Sequence, residues 1–212
     1  MMIKFASLFS GHLDLNGDQA NLKVAQTRLG WFGYQVEIVN VNKGDAIPPD
    51  AALVFLGHGS IAAWADIEDH LSKLVPQIDS LISNGTAFMA VASGHERAIE
   101  LGLMPGKVDK VARVSKFEIA ELDGEEILGY LNSETTAPII QKHGLVLGTQ
   151  LHGPLFAKNP DFVDSYLAEV LQSQFGTLIN LDASGAQAKN NADQVAGIVE
   201  EVWKLERELA SE

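Results

Sequence analysis

Thr86-Ala87-Phe88-Met89-Ala90-Val91-Ala92-Ser93-Gly94-His95-Glu96 is the stretch on which the architecture turns. Residues 86–92 form an uncharged, mostly apolar run, short enough for a strand and apolar on both of its faces. Ala92-Ser93-Gly94 then supplies small residues at a corner, as a strand–turn–helix elbow requires. Many Gly-rich turns have that look, so the corner alone leaves a nucleophile elbow and an ordinary turn both open.

The same grammar recurs on the N-terminal side. Residues 2–9 (MIKFASLF) read as a first strand, and the polar turn Ser10 to Asp18 leads into a helix over 19–32, with Leu22, Ala25, Leu29 and Phe32 at helical spacing. Gly33 closes it, and Tyr34–Val41 alternates as a half-buried strand. After Pro48-Pro49, Ala51–Leu56 is a second continuous apolar run, ending in Gly57-His58-Gly59-Ser60. A long amphipathic helix follows over 61–83, which Pro76 is expected to kink or split. Strands alternating with helices, with the apolar runs buried on both faces, predict an α/β fold: a mostly parallel central sheet flanked by helices.

Residues 107–150 break the alternation. Val111–Ala120, Ile127–Leu131 and Leu145–Thr149 read as strands with short connections, so an antiparallel extension is expected there. Behind Asn159-Pro160, Phe162, Val163, Tyr166, Leu167, Val170 and Leu171 form a helical stripe. Val195, Ile198, Val202, Leu205 and Leu209 place a C-terminal helix at 191–209, packing on its own domain or offering a surface to a partner helix. One domain over 1–212 is expected.

Composition narrows the function classes. A net charge of −13 argues against nucleic-acid binding, which needs a dense basic face. The chain has no cysteine, so disulfides, thiolate metal sites and a Cys nucleophile are all excluded. No metal or other cofactor is expected. The apolar N-terminus is short, carries Lys4 and runs into Gly11, His12 and Asp14; neither a signal peptide nor a membrane span is read there, and a cytoplasmic location is expected.

In an open α/β sheet, ligands bind outside the carboxyl ends of the strands. Three segments fall there. Gly57 and Gly59 either expose backbone N–H groups to an oxyanion or simply make a tight turn. Ala92 and Ser93 sit at the elbow, and Leu151-His152-Gly153-Pro154 follows the last strand with His152 as a candidate general base.

Gly148-Thr149-Gln150-Leu151-His152-Gly153-Pro154-Leu155 with Lys158-Asn159-Pro160 resembles a G-T-x-L-H-G-P-x-x-x-K-N signature. Leu15-Asn16-Gly17-Asp18-Gln19-Ala20-Asn21 resembles L-Y-G-D-x-G-N, Phe55–Ser60 resembles F-I-G-G-G-x, and Gly129-Tyr130-Leu131-Asn132 resembles G-F-E-N. Together these resemble the class I glutamine amidotransferases of the CobB/CobQ-like branch, above all the GatD-like glutaminase subunit of lipid II isoglutaminyl synthase. The likeness runs in order from Phe9 to Leu171 and implies a flavodoxin-like core.

It also implies a chemistry. In that family a cysteine thiolate attacks the glutamine amide, a histidine (here His152) moves protons, and ammonia passes to a Mur-ligase-like synthetase partner that amidates a cell-wall precursor. Glutamine is the implied ligand, and Arg113 matches by position an arginine that holds its α-carboxylate. The family elbow A-x-C-G-G-[YF]-Q is here Ala90-Val91-Ala92-Ser93-Gly94-His95-Glu96, so Ala92 stands at the cysteine. Either a Cys-to-Ala change or natural divergence into a pseudo-glutaminase accounts for it. The further departures at His58, Ser93, His95 and Glu96 favour divergence. Two other readings stay open: a non-catalytic scaffold subunit, and a hydrolase using Ser93 with His152. His58 and His95 are expected to crowd the pocket. No acid to orient His152 is evident, because Pro154 stands where class I enzymes carry one.

Overall fold

The computed structural model describes residues 2–176 and 186–211. Six strands build the main sheet: β1 (Met2–Leu8), β2 (Gln35–Val41), β3 (Ala51–Leu56), β4 (Ala87–Val91), β7 (Ile140–His143) and β8 (Val146–Thr149). Their order is β2-β1-β3-β4-β8-β7, parallel throughout except for the β7–β8 hairpin at one edge. Every residue of β3 and β4 is buried, which is why these strands read as unbroken apolar runs rather than alternating ones.

The alternation is present, but both faces are apolar. Phe5, Leu53, Phe55, Met89 and Val91 point to one face, where they meet α1 (Ala20–Trp31) and α5 (Pro160–Phe175) through Leu22, Leu29, Val163, Tyr166 and Leu167. Ala6, Leu8, Val54, Leu56, Phe88 and Ala90 point to the other, covered by α2 (Ile61–Ser83) and α3 (Ser93–Glu100) through Trp64, Ile67, Leu71, Ala98 and Ile99. A strand period of two thus divides one sheet between two cores.

Helix α2 runs unbroken through Pro76, so the expected split does not occur. The antiparallel extension exists but is composed differently from the sequence expectation. β5 (Lys110–Leu122) and β6 (Glu125–Thr135) form a long hairpin, and the two-residue β9 (Leu151–His152) joins the far side of β6. Leu145–Thr149, expected in that sheet, instead supplies β8, parallel to β4. All four residues of β8 are buried, so the run is too short and too evenly covered for its periodicity to show which sheet it enters. Strand β7 went unrecognised because Gln141, Lys142 and His143 dilute its apolar signal.

Two further helices follow the sheets. The short α4 (Leu155–Lys158) precedes α5, and α6 (Ala186–Ala210) covers the predicted C-terminal helix and extends beyond both of its ends. Among the described residues no helix is long and apolar enough to cross a membrane. The topology brings the carboxyl ends of β3, β4 and β8 side by side, placing residues 57–60, 92–96 and 150–154 in one corner.

Candidate active site

Ala92 caps α3 with φ 51 and ψ −120, a left-handed conformation that an L-residue rarely adopts. The surroundings hold it there. Ala92 N–H donates to the Thr149 carbonyl at 2.7 Å, and Gln150 Nε2 donates to the Ala92 carbonyl at 3.2 Å. The Gly148–His152 segment therefore braces the elbow from the neighbouring strand. Gly94 allows the corner to close, since a Cβ there would overlap the carbonyl oxygens of Leu56 and Gly57.

The residue after the apex is tied down. Ser93 Oγ accepts from Gly59 N–H at 3.1 Å and from Trp64 Nε1–H at 2.9 Å. It donates to His58 Nδ1 at 2.7 Å. Both acceptor positions and the single proton of the hydroxyl are thus engaged. Burial holds the His58 imidazole below its ordinary range, helped by the neighbouring His152, which favours the neutral ring; the Ser93 N–H, 3.4 Å from Nδ1, marks that nitrogen as the acceptor. The His58 and His152 rings meet edge to face with centroids 5.0 Å apart.

His152 is buried, and a second buried group faces it. Asp18 Oδ2 lies 3.3 Å from His152 Nδ1, and Asn16 Nδ2 lies 3.2 Å from the same nitrogen. Asp18 is fully buried, and its other oxygen, Oδ1, has no hydrogen-bond partner among the described residues. Asp18 and Asn16 thus both face the same ring nitrogen of His152. Loop 15–21 is held to the histidine segment by Asn21, whose Oδ1 accepts from Phe156 N–H at 2.9 Å.

A cavity of about 510 Å³ opens in front of the elbow. Ala92, Ser93, His58, Gly59, Glu96 and Arg113 contribute to its wall. Desolvation raises the Glu96 carboxyl above its ordinary range, although Thr135 Oγ1 donates to it at 2.7 Å. Among the described residues no group of three or more histidine, aspartate and glutamate side chains is placed to hold a metal ion.

No family model and no curated protein matches the chain. Solved structures match it in fold. A glutamine amidotransferase from Thermotoga maritima aligns with a TM-score of 0.52 at 11% identity, over 95% of this chain and 97% of that one. The glutaminase domain of CTPS from Trypanosoma brucei, solved with bound acivicin, aligns with a TM-score of 0.52 at 10% identity, over 88% of this chain and 98% of that one. The chain has the glutamine amidotransferase fold.

Within that fold the residues singled out from sequence divide into three groups. Ala92, Ser93, Gly59 and Arg113 line one cavity. Gly57 and His152 lie behind it rather than on its wall. Gly57 packs against the Leu13 backbone, where a Cβ would overlap the carbonyl oxygen, and His152 stands behind His58. His95, expected to crowd the cavity, points the other way. It is fully buried, bonded to Gln141 Nε2 at 2.7 Å and packed on Gly148, and burial pulls its pKa down to about 4. The imidazole hydrogen-bonded to Ser93 is that of His58.

Asp18 is the carboxyl group beside His152 that sequence reasoning did not find. It lies in the quoted Leu15–Asn21 motif, but its partner stands 134 positions away, a separation no local spacing reveals. The Lys158-Asn159 end of the long motif is structural. Asn159 Nδ2 donates to the Leu128 and Leu155 carbonyls, and its Oδ1 accepts from Leu128 N–H.

Proposed function

We propose that this chain is a glutaminase-fold subunit that no longer hydrolyses glutamine and that serves a synthetase complex through its retained cavity. The observation that carries the reading is the state of the elbow. A methyl group occupies its strained apex, and the adjacent hydroxyl of Ser93 is consumed by three hydrogen bonds. A nucleophile needs a free lone pair beside a base, and the chain offers neither a thiol nor an unengaged hydroxyl at this corner. Strain at a residue that gains nothing from it fits a corner inherited from a catalytic ancestor. The buried His152–Asp18 pair fits the same ancestry.

The finer assignment rests on the sequence motifs: a CobB/CobQ-like subunit of the GatD type, paired with a Mur-ligase-like partner that amidates a cell-wall precursor. On this reading Arg113 takes a carboxylate at one end of the cavity. His58, which stands where the family keeps a glycine, fills the space a glutamine amide would need. Calorimetry with glutamine tests it. The wild-type chain binds glutamine more weakly than about 1 mM, and His58→Gly tightens binding roughly tenfold. Micromolar binding by the wild type would sink the view that the cavity has been remodelled.

A further inference from the structure

Helix α6 carries a second surface, independent of the cavity and of the reading given to it. None of the side chains described on this helix is fully buried. One arc is anchored: Trp203 Nε1–H donates to the Lys158 carbonyl at 2.7 Å, Lys158 pairs with Glu206 at 2.6 Å, and Arg207 pairs with Glu126 at 2.5 Å. Val195, Val199 and Val202 are half-buried beside these contacts. The heptad-like stripe seen in the sequence is therefore divided. Its Val members turn toward the fold, and Ile198, Leu205 and Leu209 stay exposed at 62%, 62% and 48%.

Those three side chains fall within about 40° of one another around the helix. On the side away from the anchored arc the stripe is bordered by Glu201 and Glu208, both exposed. This border selects among occupants. An antiparallel second copy would set Glu201 and Glu208 against the same two residues. Like charges at flanking positions oppose that arrangement. In a parallel copy Glu201 would meet Glu206, whose charge Lys158 already engages, so a parallel dimer is an outcome that the test below reads. An anionic membrane meets the same repulsion.

We propose that the Ile198–Leu205–Leu209 stripe of α6 is a docking site for an amphipathic helix of a different chain, one that carries lysine or arginine beside its apolar seam. Leucine-class anchors at heptad spacing fill the stripe, and the basic flanks meet Glu201 and Glu208. The net charge of −13 steers such a partner toward this chain from a distance.

The probe is a labelled synthetic heptad peptide with leucine at the seam and lysine on both flanks, titrated against the full chain by fluorescence anisotropy. Its counterpart has glutamate on both flanks. The lysine peptide binds at least roughly tenfold more tightly than the glutamate peptide, a difference that shrinks in high salt. The double variant Ile198→Ser, Leu205→Ser loses roughly tenfold in affinity, and Glu201→Lys with Glu208→Lys reverses the preference between peptides. All four positions are exposed, and circular dichroism checks that each variant remains folded. Binding unchanged by both double variants overturns the proposal. So does a concentration-dependent dimer that Leu205→Ser dissolves, or co-sedimentation of the chain with phosphatidylserine vesicles through this stripe.

Discussion

The hydroxyl of Ser93 accepts N–H bonds from Gly59 and Trp64 and donates a hydrogen bond to His58, so truncating it strands two donors in a half-buried corner. Ser93→Ala is therefore expected to lower stability by about 2 kcal/mol, measured as a shift in denaturant midpoint at constant slope. A nucleophilic serine would behave differently, since its alanine variant usually folds well and loses only turnover. At this scale the sequence was informative about identity and poor about partnership. Ala92 and Ser93 were recognisable from an aligned motif and Arg113 by position alone, and all three line the cavity. The hydrogen bonds that decide their chemistry join residues 35 and 134 positions apart, so neither Ser93–His58 nor His152–Asp18 has a local signature.

Helix α3 is fixed to the sheet through His95, whose ring packs on Gly148 of β8 and bonds Gln141 of β7. Burial keeps the folded imidazole neutral down to about pH 4, below the ordinary 6.5. Between those two values the unfolded chain takes up a proton that the folded chain refuses. Stability is thus complete above pH 6.5 and falls as pH drops toward 4, by about 3 kcal/mol in full. The lowered pKa of His58 acts in the same direction. Glu96, raised, acts in the opposite one, costing stability as pH climbs above its ordinary 4.5. His95→Gln keeps a polar partner for Gln141 and flattens the fall in thermal midpoint between pH 6.5 and 4; an unchanged slope would assign the acid lability elsewhere. The elements themselves show where pattern reading stops. The apolar runs at 51–56 and 87–91 announced buried parallel strands, because both of their faces are covered. The four residues of β8 carried the same message in too few positions, and their sheet partner emerged only in three dimensions.

Taken whole, the molecule has the glutamine amidotransferase fold, and the proposed reading is that its corner has been altered. Two cores share one sheet, and the carboxyl ends of three strands hold the elbow, the glycine turn and the buried histidine–carboxylate pair together. The α/β architecture was legible from alternation and motif order, since burial on both sheet faces writes itself into composition. The departures at the corner were legible only as substitutions; that Ser93 is held by His58, Gly59 and Trp64 follows from distances. Restoring one atom group should not reverse so distributed a change. A cysteine at position 92 would regain a nucleophile, but His152 stands behind His58 rather than on the cavity wall. Ser93 and His58 would still place side chains beside the turn where an oxyanion must be held, and loss of one such donor typically costs about 10²–10³ in rate. The decisive measurement is glutamate release from saturating glutamine by the purified wild-type chain and by Ala92→Cys. No release above background from the wild type, and little or none from the variant, is the predicted result. Robust turnover by Ala92→Cys would contradict it and mark this corner as a working glutaminase that lacks only its thiol.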